Sequence, residues 1–129
     1  MHTAEIELQV RDYECDMGQV VNNARYLNYL EHARHDLLRA RGVHFGDLAQ
    51  RGIFLVVTHI DASFKGSLVS GDTFTVRTAM RRASRVRIQF DQTICRAPDR
   101  KVMLEAVVTG TAVNAKGRPD LPPELLALL

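Results

Sequence analysis

The chain has 129 residues, 46% of them hydrophobic and 25% charged, a size and balance that suit one compact domain. They exclude a two-domain enzyme with its own cofactor module, a fibrous array and a disordered tail. Lys and Arg number 17 against 15 Asp and Glu, a formal charge of +2, which does not require a nucleic-acid partner.

Residues 5–13 (EIELQVRDY) alternate apolar and polar through Ile6, Leu8 and Val10, the period of a half-buried strand. After a loop, residues 24–42 carry Tyr26, Leu30, Ala33 and Leu37 at helical spacing, with Leu27, Tyr29 and Leu38 widening the stripe until apolar surface runs nearly all round. The spacing predicts one long helix capped near Asn23 and stopped by Gly42. FGDLAQRG predicts a helical turn, and IFLVVTHIDASF reads first as a buried apolar run and then as an alternating strand. After the turn KGSLVSGD come three strand-like runs, at residues 73–83, 85–96 and 101–115, joined at Ala83-Ser84 and Ala97-Pro98-Asp99-Arg100. Pro119, Pro122 and Pro123 break the chain before a terminal helical turn, ELLALL. One helix followed by a run of strands predicts a single α+β domain over residues 1–129, an antiparallel sheet curled around a central helix.

Cys15 and Cys95 lie in separate segments with no paired-cysteine motif and no His at ligand spacing, so neither a disulfide framework nor a zinc site is expected. No segment approaches eighteen consecutive apolar residues and no basic-then-apolar leader opens the chain, so a cytoplasmic protein without a membrane span is the expectation. A domain of this length buries roughly two-thirds of the surface of its unfolded chain. A deep, closed active site would therefore borrow walls from a second subunit.

The segment from Arg11 to Arg34, RDYECDMGQVVNNARYLNYLEHAR, resembles the signature of the hot-dog-fold acyl thioesterases of the 4-hydroxybenzoyl-CoA thioesterase type: an Asp, a short glycine-containing loop, Val, Tyr, then Glu-x-Ala-Arg on a central helix. Asp16, Gly18, Val20, Asn22, Asn23, Tyr26, Glu31, Ala33 and Arg34 fill those positions. The stretch VVNNARYLNYLEHAR is similar to bacterial long-chain acyl-CoA thioesterases and to cyanobacterial and plant acyl-carrier-protein or dihydroxynaphthoyl-CoA thioesterases. The resemblance extends through the strand order, GSLVSGD and RPDLPPEL. One departure is that the commoner pattern has glycine three residues after the Asp, where this chain has Gln19 and carries Gly18 instead.

The resemblance implies hydrolysis of a thioester of coenzyme A or of an acyl carrier protein, without metal or redox cofactor, by a homodimer that joins two sheets edge to edge and commonly pairs into a tetramer. Asp16 is then the catalytic carboxylate, as general base or as nucleophile; on spacing alone it would cap the helix or form an Asx-turn. Asn23, seven residues on, stands where the family places the first free helix N–H beneath the thioester oxygen, a donor suited to a developing oxyanion. Glu31 is the rival acid, because another hot-dog subgroup uses a carboxylate on the helix; an ion pair with Arg34 or His35 is its ordinary explanation.

Gly18 and Tyr26 fall in the signature as substrate contacts, and His59 is a candidate for the tunnel. Lys65 and Arg82, with Arg81, Arg85, Arg87, Arg96, Arg100 and Lys101, are candidates for phosphate recognition or simply for a solvated hairpin edge. Phe54, Val56, Phe64 and Phe90 line an acyl tunnel or form core. Two other classes stand beside the hydrolase. A hot-dog dehydratase or hydratase needs an Asp and His pair, and the loop after Asp16 has no His. A non-catalytic acyl-carrier or acyl-CoA binding protein would bind without turnover.

Overall fold

The computed structural model describes residues 2–129. Ile6 and Leu8 turn inward from strand β1 (His2–Gln9), whose burial alternates residue by residue. The strand stops short of residue 13 because a 3₁₀ turn occupies Asp12–Glu14. Helix α1 (Asn23–Ala40) begins one position away from the expected capping: Asn22 is the cap, its side chain accepting from the Ala24 N–H at 2.9 Å. Asn23 is thereby the first helical residue. Gly42 takes φ +87° just beyond the C-terminal end, the left-handed conformation that glycine adopts without a Cβ clash.

The remaining elements are α2 (Phe45–Gln50), β2 (Phe54–Phe64), β3 (Thr73–Arg82), β4 (Ile88–Arg96), β5 (Val102–Val113) and α3 (Pro123–Leu126). The strands form one antiparallel sheet in the order β1-β3-β4-β5-β2. The architecture is α+β, a five-stranded sheet laid against one long helix. Around the N-terminal half of α1, Tyr26, Tyr29, Leu30 and Ala33 pack with Leu68, Phe74, Val76, Ile94 and Leu104. Around the C-terminal half, Leu37 and Leu38 pack with Leu48, Met80, Phe90 and Val108.

Two expectations about burial are corrected. The apolar surface of α1 does not run all round, since Leu27 is exposed. The apolar run of β2 is not interior: β2 is an edge strand, and Phe54, Val57 and Phe64 are each about half exposed, at 53%, 48% and 47%. Periodicity reports that a strand is apolar on both faces but not whether it has a neighbour on both sides.

A β-bulge interrupts β2 between Val57 and His59, where Val57 pairs with Gly110 and His59 with Thr109. Gly110 is required there, since a Cβ would lie 2.9 Å from the Val56 carbonyl oxygen. The extra residue shifts the phase of alternation. Leu55 and Val57 face α1 before the bulge, and Ile60, Ala62 and Phe64 face it afterwards, opposite Val108, Ala106 and Leu104 of the core side of β5.

Candidate active site

Asp16 sits at the tip of a short hairpin that carries the chain from the end of β1 to the start of α1. The Asp16 N–H donates to the Val20 carbonyl at 3.0 Å and the Gln19 N–H to the Asp16 carbonyl at 2.9 Å. Gln19 has φ +65°. These bonds define a three-residue loop, a turn followed by one left-handed residue, the position at which glycine is the ordinary choice. Gln19 thus keeps the loop geometry that a glycine would favour, at a conformational cost. Gly18 donates its N–H to Asp16 Oδ1 at 2.9 Å, and a Cβ there would approach that oxygen to 3.2 Å.

The Cys15–Val21 bridge closes the hairpin, and the Val20–Val69 bridge lays it against the loop after β2. The result is an open pocket of about 730 Å³, lined by Asp12, Cys15, Asp16, Gly18, Gln19, Val20, Val69 and Ser70. Ser70 donates its hydroxyl to Asp12, which ties the far wall to the 3₁₀ turn. At the start of α1, Ala24 and Arg25 donate to Asn22, by its side chain and its carbonyl respectively. The Asn23 N–H has no hydrogen-bond partner among the described residues. It is the free donor at the positive end of the helix dipole, although Asn23 itself does not line the Asp16 pocket.

Sequence reasoning missed Glu14, whose carboxylate holds this end together. It is buried; its Oε1 accepts from the Arg11 N–H at 2.8 Å and from the Tyr29 hydroxyl at 2.9 Å. Burial first, and the neighbouring Glu14 second, push the Tyr29 phenol above its ordinary pKa of 10.0. Glu14 and Tyr29 stand fifteen positions apart, so no local spacing links them.

Several expected substrate contacts do not line the Asp16 pocket. Tyr26 is buried: its hydroxyl accepts from the Leu68 N–H at 2.9 Å, and its ring meets Phe64 edge-on at 5.6 Å. It pins the loop that forms the pocket wall and does not face the opening. His59 lies on the face of β2 turned away from α1, because the bulge breaks the alternation that would otherwise place it beside Val57. Lys65 reaches Glu105 at 3.9 Å. Arg82 is at the opposite end of the sheet, donating to the Ser84 and Arg85 carbonyls and so closing the β3–β4 turn. Arg81 is paired with Asp91 at 2.8 Å and Arg96 with Asp99 at 2.6 Å. Each of these guanidiniums has a carboxylate beside it.

The ion pair expected of Glu31 is also absent: among the described residues no cation lies within 4.0 Å of it. Arg34 turns inward instead, its Nη1 donating to Gln92 Oε1 at 3.0 Å, while Gln92 donates to the Leu30 carbonyl and to Thr78. Glu31 lines a second cavity, of about 320 Å³, between α1, α2 and the first half of β2. Arg34, His35, Leu38, Leu55, Val57 and Phe90 are among its other walls. Burial lowers the pKa of both Arg34 and His35, partly opposed by the charge of Glu31.

The five-stranded antiparallel sheet and the single long helix agree in fold with known proteins. Residues 10–129 match the family described as the thioesterase-like superfamily, and the chain belongs to that superfamily. It is 40% identical over 119 residues to a chloroplastic acyl-acyl carrier protein thioesterase of Arabidopsis thaliana, covering 92% of this chain and 63% of that one. The chain therefore spans about three-fifths of that relative's length. It is 29% identical over 120 residues to the long-chain acyl-CoA thioesterase FadM of Escherichia coli, covering 93% of this chain and 90% of FadM. The solved structure of a 1,4-dihydroxy-2-naphthoyl-CoA thioesterase from Synechocystis superposes with a TM-score of 0.92 at 20% identity, covering 98% of this chain and 93% of that one, a likeness of fold. No helix is long and apolar enough to cross a membrane among the described residues.

Proposed function

We propose that the protein hydrolyses an acyl thioester, carried by coenzyme A or by an acyl carrier protein, to the free acid and the thiol. The observation that carries this reading is the placement of Asp16, an exposed carboxylate lining an open pocket on the hairpin that leads into α1, whose first N–H, that of Asn23, makes no hydrogen bond among the described residues. Water adds to the thioester carbonyl carbon while Asp16 takes its proton, and the oxyanion is stabilised by the helix N-terminus. The C–S bond then breaks and the thiol leaves with a proton. A nucleophilic attack by Asp16 itself, through an anhydride that water opens, uses the same groups.

The site is completed by a second copy. Strand β2 offers a free edge with apolar side chains on both faces, which is costly to leave in water and ready to pair with an identical edge. Antiparallel pairing of two β2 strands brings the end of β2 beside the Asp16 pocket of one protomer to the beginning of β2, and its cavity, in the other. Two such dimers form a tetramer.

Glu31 supports a second reading, as the acid acting from the helix, because it lines a cavity and has no ion-pair partner among the described residues. A dehydratase reading has no His in the Asp16 pocket to support it. Thiol release from a panel of acyl-CoA and acyl-carrier-protein substrates tests hydrolysis. Binding without release would favour an acyl-binding protein instead.

A further inference from the structure

The outer face of the sheet, turned away from α1, carries a further cavity of about 540 Å³, a usual size for a small-molecule site. Strand register builds it. Glu5 stands opposite Arg77, Arg77 opposite Thr93 and Thr75 opposite Cys95, while their chain neighbours Val76 and Ile94 are buried in the core beneath α1. The β4–β5 turn closes one end, where the Ala97 N–H donates to the Thr73 carbonyl at 2.8 Å and the Arg100 N–H to the Arg96 carbonyl at 2.7 Å. Arg96 and Arg100 thereby join Arg77 in one concavity.

Four residues further along β3, on the same face, Arg81 is matched by Asp91 at 2.8 Å. The cavity lacks that balance. Arg96 has Asp99 at 2.6 Å, but no carboxylate lies within 4.0 Å of Arg77 or Arg100 among the described residues. Glu5, the acid in the lining, does not reach Arg77 although the two are paired in register. Among the lining side chains of the described residues, Arg96 alone makes hydrogen bonds, both to Asp99. Arg100 also holds φ +59°, a costly conformation for a residue with a side chain.

Guanidinium forks match phosphate oxygens two at a time. A concave site lined by one sign of charge focuses its field on an entering counter-ion. We infer that this cavity binds a phosphate group, as a monoester or a diphosphate, through Arg77 and Arg100, with the hydroxyls of Thr75 and Thr93 beside them. Phosphate fits better than a carboxylate because it brings more acceptor oxygens to two forks and two hydroxyls.

The segment Val69–Thr73 divides this cavity from the Asp16 pocket: Val69 and Ser70 line that pocket, and the Thr73 carbonyl anchors Ala97 of this one. The phosphate has two sources. One is the nucleotide end of a coenzyme A whose thioester lies in the Asp16 pocket, which rests on the thioesterase reading. The other is a free phosphorylated metabolite that binds apart from the reaction.

Calorimetry with coenzyme A, pantetheine and inorganic diphosphate tests the site without turnover, so its result is separate from that of the thioesterase reading. Wild type is expected to bind diphosphate, and to bind coenzyme A more tightly than pantetheine. Replacing the exposed Arg77 and Arg100 together, as Arg77→Met and Arg100→Met, should weaken the phosphate-bearing probes by about ten- to a hundredfold and leave pantetheine unaffected. Glu5→Gln should tighten them a few-fold by removing a repelling charge. If coenzyme A is the source, the arginine variant raises KM for an acyl-CoA at unchanged kcat and leaves KM for the phosphate-free acyl-N-acetylcysteamine thioester where it was. If a free phosphate is the source, diphosphate binding is lost while both KM values stay. Failure of wild type to bind diphosphate or to favour coenzyme A over pantetheine, or wild-type affinity for both in the arginine variant, overturns the inference and leaves Arg77 and Arg100 solvated surface charges.

Discussion

The Tyr29 hydroxyl donates a 2.9 Å hydrogen bond to the buried Glu14 carboxylate, fastening the 3₁₀ turn that precedes the Asp16 hairpin to the second turn of α1. Neither group faces the Asp16 pocket. Tyr29→Phe therefore leaves a buried oxygen with one fewer donor and is expected to cost about 1–3 kcal/mol in chemical denaturation. The kcat of the remaining folded protein should stay within a few-fold of wild type. A severe loss of kcat at unchanged stability would place the pair in the chemistry instead.

Gln19 holds φ +65° at the hairpin's left-handed position. A non-glycine residue there costs on the order of 1–2 kcal/mol, of which glycine recovers part against its own greater chain entropy. Gln19→Gly should raise the urea midpoint modestly, with activity retained, and a lower midpoint would show that the Gln19 side chain contributes more than its backbone costs.

His35 packs against Phe45, and burial lowers its pKa from 6.5. The unfolded chain then binds a proton more readily than the folded one, so stability rises with pH in this window. It is lost as the pH falls from about 6.5 through the folded-state value. His35→Gln should flatten this dependence in denaturation curves recorded between pH 5 and pH 7, on the order of the titration range of histidine. A wild-type curve already flat over that range would contradict the assignment.

Val56 lies exposed on the free edge strand β2. If two β2 edges pair, Val56→Lys places matched charges in the seam and should shift light scattering from dimer or tetramer towards monomer, with activity falling in step. A wild type that is monomeric and fully active on dilution would remove the need for a shared site.

Much of the fold was legible because it is written locally. Tyr26, Leu30, Ala33 and Leu37 recur at helical spacing, and the strands alternate or end at turn residues, so element order and type could be read along the chain. The segment around Asp16 read only as a loop, and the role expected of Asp16 came through likeness to a family; its hairpin depends on Gln19 taking a left-handed conformation. What could not be read depends on distant partners or on a single inserted residue. Arg34 and Gln92 are 58 positions apart, so the departure of Arg34 from Glu31 leaves no trace in helical spacing. The bulge after Val57 reverses which residues of β2 face the helix, which moved His59 to the outer face. The exposed β2 edge depends on the order in which strands pair, and Arg82 was lost to its own turn's carbonyls.

The central claim is that Asp16 carries the reaction, and thiol release by Asp16→Asn measured beside Glu31→Gln tests it most directly. Asp16→Asn keeps an acceptor for the Gly18 N–H and removes the base or nucleophile, so kcat should fall by about 10²–10⁴-fold, while Glu31→Gln should remain within about tenfold of wild type. Wild-type turnover by Asp16→Asn, with the loss falling on Glu31→Gln, would contradict the account and move the chemistry to the helix.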